Sequence, residues 1–160
     1  VRGRFEYVII NDITAIIDYA HTPDALKNVI ETINDIRTGN NSLITVVGCG
    51  GDRDSKKRPL IGQISSSLSS KVIFTSDNPR SESAELIIEQ MNLGVSPVDF
   101  KKVLSISSRE EAIKTACQLA RPKDIILIAG KGHETYQEIN GKKNHFDDYE
   151  IVKNYLTKII

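Results

Sequence analysis

Charged and glycine-rich residues recur in this sequence directly after apolar runs, and each cluster holds groups able to bind charge. The first is Asp18-Tyr19-Ala20-His21-Thr22-Pro23, the second spans residues 48–54, the third is Asp77-Asn78-Pro79-Arg80, and the fourth is Gly130-Lys131-Gly132-His133-Glu134. The guanidinium groups of Arg53 and Arg80 suit a carboxylate or a phosphate, because a planar fork pairs bidentately with either. Carboxylates such as Asp77 and Glu134 suit an ammonium group. Any one cluster reads equally well as helix caps and turns. Caps do not call for arginines and histidines in addition, so the four together point to a binding site.

Several chemistries are disfavoured by spacing. Gly48-x-Gly50-x-x-Arg53 approaches a dinucleotide fingerprint, but Arg53 stands where the third glycine belongs. Its glycines read as room for backbone to approach a ligand closely. Gly130-Lys131-Gly132 is not a phosphate-cradling loop, since no Gly-x4-Gly-Lys-Ser/Thr occurs. His21, His133 and His145 have no zinc-ligand spacing, so no metal site is expected. Cys49 reads as a small buried thiol; a hydrolase built on it would lack a third, orienting group. Lys56-Lys57-Arg58 reads as a solvated helix start, able at most to attract an anion. Tyr149 and Tyr155 read as core.

The elements that must position these clusters alternate between strand and helix. Residues 5–10 and 14–18 are apolar runs split by Asn11-Asp12, which predicts a hairpin. Leu26, Val29, Ile30, Ile33 and Ile36 fall at helical spacing, with Thr22 or Asp24 as cap, Pro23 in the first turn and Gly39 beyond the end. Strands are predicted at 43–47, 71–75, 102–106 and 124–129, and helices at 59–68 and 83–91. Ser108 and Glu111 suggest a capping box before a helix carrying Ala112, Ile113, Ala116, Cys117 and Ala120 on one face. A second hairpin is predicted around Asn140-Gly141, and Tyr149, Val152, Tyr155, Leu156 and Ile159 make a closing amphipathic helix. Strands apolar on both faces imply helices on both sides. The expected fold is an α/β domain with an open, Rossmann-like, mostly parallel sheet, in which ligands bind outside the carboxyl ends of the strands.

The chain of 160 residues suits one domain. Twenty-one basic and 21 acidic residues cancel, which argues against a general nucleic-acid or anionic-membrane binder. A hydrophobic fraction of 39% with 26% charged residues fits a folded domain. No apolar run approaches the ~18 residues of a membrane span, and no secretory leader is evident. Two distant cysteines suit a reducing, cytoplasmic setting. A start at Val1 suggests a piece of a longer protein.

Five segments in order, Gly3-Arg4-Phe5-Glu6, D-Y-A-H-T-P-D at 18–24, G-C-G-G-D-R-D at 48–54, D-N-P-R at 77–80 and G-K-G-H-E at 130–134, resemble the C-terminal domain of the Mur ligases over essentially all of residues 1–160. Their D-N-P-R form resembles that of the members that add meso-diaminopimelate to UDP-MurNAc-L-Ala-D-Glu. The resemblance implies an ATP-dependent, amide-forming ligase of peptidoglycan biosynthesis that works through an acyl phosphate. It implies ATP and Mg2+ held mainly by a central ATPase domain, which is absent from this sequence, as is the UDP-binding domain. By motif match, Arg53, Asp77, Asn78, Arg80, Gly130 and Glu134 would bind diaminopimelate, with Arg80 reading the distal carboxylate and Asn78 assisting. Arg4 and Asp18 would contact the nucleotide near its ribose, and His21 would lie near its phosphates. No residue of this domain is expected to be catalytic by itself, and the isolated chain is expected to be inactive. The alternatives are a lysine-adding or folylpolyglutamate-type domain, or a non-catalytic α/β binding module.

Overall fold

The computed structural model describes residues 2–158. The chain opens with a hairpin of β1 (Glu6–Ile10) and β2 (Ile13–Asp18), followed by α1 (Pro23–Ile36), β3 (Leu43–Cys49), α2 (Lys57–Leu68), β4 (Lys71–Ser76) and α3 (Ala84–Asn92). A 3₁₀ turn (Pro97–Lys102) leads into the short β5 (Val103–Ser105), then α4 (Arg109–Leu119) and β6 (Ile125–Ala129). A second hairpin of β7 (Tyr136–Ile139) and β8 (Lys142–His145) precedes α5 (Asp148–Lys158). Ile159, expected on the last helix, lies outside the described residues.

Six strands form one sheet in the order β1-β2-β6-β3-β4-β5, parallel except for β1. One face packs against α1, α2 and α3, through Leu26, Ile30, Ile61, Ile87 and Met91 over Ile16, Val47, Phe74 and Leu127. The opposite face packs Ala112, Ile113, Val152 and Leu156 over Ile17, Val46, Ile73 and Ile128. Alternate residues of β3 and β6 therefore serve different cores, which is why both strands are apolar throughout.

Local chemistry sets the ends of these elements. Thr22, Ser83 and Ser108 each accept a backbone N–H three residues on, from Ala25, Leu86 and Glu111. Asn11 and Asp12, at φ 54° and 63°, form the first hairpin turn, and Asn140 and Gly141, at 50° and 78°, the second. Helix α2 starts earlier than expected, at Lys57, because Pro59 in its first turn lacks only an N–H that has no helical partner there. The strand expected over 102–106 is shorter, since Lys102 closes the 3₁₀ turn and pairs with Asp99 at 3.0 Å. Tyr149 and Tyr155 pack against the core but stay partly exposed, and Tyr155 donates to Glu110 at 2.8 Å.

One ion pair ties the second layer to the working end of the sheet. Arg109, at the start of α4, holds Asp148, at the start of α5, by two bonds of 2.9 and 2.7 Å. The same guanidinium donates to the carbonyls of Ser76 and Ala129, which end β4 and β6. Both side chains are completely buried. Removing one partner strands a charge in the interior, which costs about 3–5 kcal/mol. Arg109→Met is therefore expected to lower the unfolding free energy in urea by about that amount, and a double Arg109→Met, Asp148→Leu variant by clearly less than the sum of the single changes.

Candidate functional site

Strands β2, β6, β3 and β4 are neighbours and run in parallel, so the four polar clusters that follow them emerge along one edge. Between them lies a cavity of about 370 Å³. All six residues expected to bind an amino acid, Arg53, Asp77, Asn78, Arg80, Gly130 and Glu134, line it, and so does His21. Arg4 and Asp18 do not.

The loops after β3 and β4 are fastened to each other. Gly51 donates its N–H to the Asn78 carbonyl at 2.8 Å, and its own carbonyl accepts from Arg80 Nη1 at 3.0 Å. A Cβ at Gly51 would stand 1.8 Å from the Pro79 oxygen, so only glycine permits this approach. A Cβ at Gly50 would meet Arg80 Nη1 at 3.0 Å and Arg53 Cγ at 3.5 Å, which puts the two arginines side by side over that glycine.

Arg58 corrects the expectation of a solvated helix start. Lys56 and Lys57 are exposed, but Arg58 is 2% exposed. It holds Glu82 through two bonds of 3.0 and 2.8 Å, and also reaches Gln90 and the Gly50 carbonyl. Its burial follows from the inward turn of the helix, where it pins the glycine loop to the segment after Arg80. Lys57 and Arg58, not Lys56, belong to the cavity wall.

Arg80 adopts φ 53°, a conformation uncommon for a residue with a side chain. The β7–β8 hairpin holds it there. Arg80 N–H donates to the Glu138 carbonyl at 3.0 Å, Asn140 N–H donates to the Arg80 carbonyl at 2.8 Å, and the Glu138 carboxylate lies 3.6 Å from Arg80 Nε. The sequence predicted this hairpin but gave it no part in the site.

Carboxylates supply the other wall. Asp77 is 7% exposed, and burial holds its carboxyl above the usual carboxylate range while Arg109 and Lys131 oppose the shift. Gly130, at φ 115°, leaves the space that Asp77 Oδ2 fills; a Cβ there would stand 2.6 Å from that oxygen. Asn78 is 2% exposed, and its Nδ2 donates to Glu134 Oε1 at 3.3 Å. Its Oδ1 accepts from Glu138 N–H and from Lys131, a fully buried residue to which the sequence gave no role.

A second group stands at one edge of the cavity, at the end of β2, where Tyr19 and His21 are part of its lining. The Arg4 guanidinium lies 6.0 Å from the Tyr19 ring centre, His21 packs edge-on to that ring at 4.8 Å, and His133 lies 6.1 Å away. The Asp18 carboxylate accepts from Phe5 N–H at 2.7 Å and Ala20 N–H at 2.9 Å, so it shapes this corner. His145 lies on β8 and bonds Glu150, apart from both groups.

Cys49 lines the cavity, and its thiol is pushed up to about 12, first by burial, then by Asp77, against Arg58. Burial pushes Cys117 up to about 12 as well. At pH 8 both are therefore thiols, and the folded chain is expected to resist iodoacetamide while the urea-unfolded chain reacts at both sites, as read by mass spectrometry. Glu82 is held down to about 2, chiefly by its hydrogen bonds from Arg58. A depressed carboxyl stabilises the fold above its unfolded value, and the contribution fades as pH falls from about 4.5 toward 2. Stability measured across that window is expected to fall less steeply in Glu82→Gln than in the parent chain.

The family model described as "Mur ligase, glutamate ligase domain" matches residues 3–132. A protein of Cytophaga hutchinsonii named UDP-N-acetylmuramoyl-L-alanyl-D-glutamate--2,6-diaminopimelate ligase is 59% identical over 96% of this chain. One of the same name from Clostridioides difficile is 48% identical over 99%. The chain spans 32% of the length of each of these relatives. A solved structure of the same name superposes with a TM-score of 0.89 at 44% identity, covering 98% of this chain and 31% of that one. A folylpolyglutamate synthase from Thermotoga maritima, at 20% identity and a TM-score of 0.62, shares the fold.

Proposed function

The chain belongs to the Mur ligase family, as its glutamate ligase domain, and from that premise we propose that it holds the incoming amino acid, meso-diaminopimelate, in a ligase that joins it to UDP-MurNAc-L-Ala-D-Glu. One observation carries this reading: the side chains of Arg53 and Arg80 and the carboxylates of Asp77 and Glu134 line a single cavity. Diaminopimelate carries at its far end both an ammonium and a carboxylate. Arg53 and Arg80 offer forks for a carboxylate. Asp77, Glu134 and the Gly130 carbonyl offer acceptors for an ammonium. The Asn78 amide belongs between the two, and its partners among the protein's own groups limit its assistance to one free N–H. The loops are pre-fastened, so little ordering remains when the amino acid enters.

The nucleotide reading rests on the corner beside the cavity. The Tyr19 ring offers a flat face to a base or ribose, and Arg4 and His21 on its flanks suit phosphate oxygens. Asp18 supports that corner by fixing the backbone on either side of Tyr19. ATP, when bound, supplies the phosphoryl group that activates the acceptor carboxylate. Among the described residues no three His, Cys, Asp or Glu side chains gather as a metal site. A reaction that consumes ATP and a UDP-linked substrate suits the cytoplasm. Among the described residues no helix is long and apolar enough to cross a membrane.

Lysine shares the ammonium but not the second carboxylate, and would leave Arg80 with only Glu138 and the Gly51 carbonyl and no substrate carboxylate to read. A site built around a polar group rejects an analogue lacking it by ~10⁴ or more. The whole ligase is expected to prefer diaminopimelate to lysine by that order in kcat/KM, and Arg80→Ala to raise KM for diaminopimelate about 100-fold while leaving KM for ATP unchanged. Equal use of the two amino acids would refute the assignment.

A further inference from the structure

Lys131 is 0% exposed and lies outside the cavity lining, directly behind it. A buried ammonium is costly unless it is paired, so its partners define its role. Nζ donates to Asn78 Oδ1 at 2.9 Å and to Glu134 Oε1 at 3.3 Å, and it sits 5.4 Å from the Tyr136 ring centre. We propose that Lys131 is a positioning residue of the amino-acid site, which fixes the orientation of the Asn78 amide and keeps the carboxylates of Asp77 and Glu134 ready for an ammonium. The inference rests on the reading of the cavity as a diaminopimelate site.

The amide argument is geometric. An ammonium can only donate, and so can the Glu138 backbone N–H, which reaches the same oxygen at 2.9 Å. Two donors on one atom identify it as Oδ1 and turn Nδ2 toward Glu134 and the cavity. Asn78 therefore presents a donor to whatever enters. Without Lys131 one of those two constraints disappears, and Glu134 loses its cation.

The charge argument involves the carboxylates and cations that face Lys131. These are Asp77 after β4, Glu134 in the same loop, and the Arg109–Asp148 pair from α4 and α5. If all are ionised, two cations face three carboxylates, which leaves one negative charge for an entering ammonium to balance. Removing Lys131 leaves Arg109, already committed to Asp148, as the remaining cation near Asp77. A proton on Asp77 then returns the group to one net negative charge, but it takes from the cavity wall one of the two carboxylates that would accept from an ammonium. The acid limb of the rate profile should move to higher pH, because a carboxyl loses an opposite charge.

In the whole ligase, Lys131→Met is expected to raise KM for diaminopimelate about tenfold or more, with KM for ATP and for the UDP-linked substrate unchanged. The acid limb of kcat/KM for diaminopimelate should rise by about one pH unit. A uniform fall in kcat with both KM and pH profile unmoved would overturn the proposal. Asn78→Asp keeps two acceptors for Lys131 and Glu138 but removes the donor, so it should also raise KM about tenfold; a parental KM there would overturn the amide argument, even if Lys131→Met failed to fold. Carbon-13 NMR of the carboxyl groups of the 160-residue chain should show Asp77 titrating at higher pH in Lys131→Met than in the parent. An unmoved Asp77 would count against Lys131 alone, whereas a parent ligase that does not use diaminopimelate would count against the proposed function.

Discussion

Charge buried at the carboxyl edge of a parallel sheet is the condition on which the rest of this domain depends. Arg109 and Asp148 pair out of contact with water, and the guanidinium also takes the terminal carbonyls of β4 and β6. Those two strands lead directly into Asp77-Asn78-Pro79-Arg80 and Gly130-Lys131-Gly132. A group that holds both strand ends also holds the start of both loops, whose residues line the cavity. Its positive charge faces Asp77 as well, so one side chain takes part in fold stability and in the electrostatics of the cavity. The α4–α5 layer, remote from any ligand, is thereby linked to the site.

The rest of the wall is stiffened in the same way, by satisfying polar groups internally. Arg58 joins Glu82 to the Gly50 carbonyl, Gly51 joins the Asn78 carbonyl, and the β7–β8 hairpin grips the backbone of Arg80 on both sides. A residue at φ 53° costs on the order of 1 kcal/mol or more, and the hairpin's hydrogen bonds offset it. The consequence is functional. Arg80 stands in the cavity wall with its backbone and its Nη1 already held, so little ordering of that residue remains.

Much of this could be read from the sequence. Period-2 and continuous apolar runs marked the strands, and Thr22, Ser83 and Ser108 stood at the helix starts they cap. The parallel arrangement followed from the alternation of strand and helix, and it implied four polar clusters on one edge. The six residues matched to an amino-acid site do share one cavity. What failed was the reading of single charged residues. Arg58 sat in a basic run and looked solvated, Arg109 and Asp148 drew no attention, and Lys131 was given no role of its own. Each is buried because a partner distant in sequence meets it: Glu82, each other, and Asn78.

The sequence by itself therefore determined the order and type of the elements and the chemistry available at the sheet's edge, because periodicity, caps and turns are properties of neighbouring residues. Which charges are buried, which way the Asn78 amide points and which hairpin supports Arg80 were decided only in the folded chain. Those outcomes depend on contacts between segments 24 to 60 residues apart, as between Arg58 and Glu82 or between Glu138 and Asn78, and on removal from water, which no local pattern encodes.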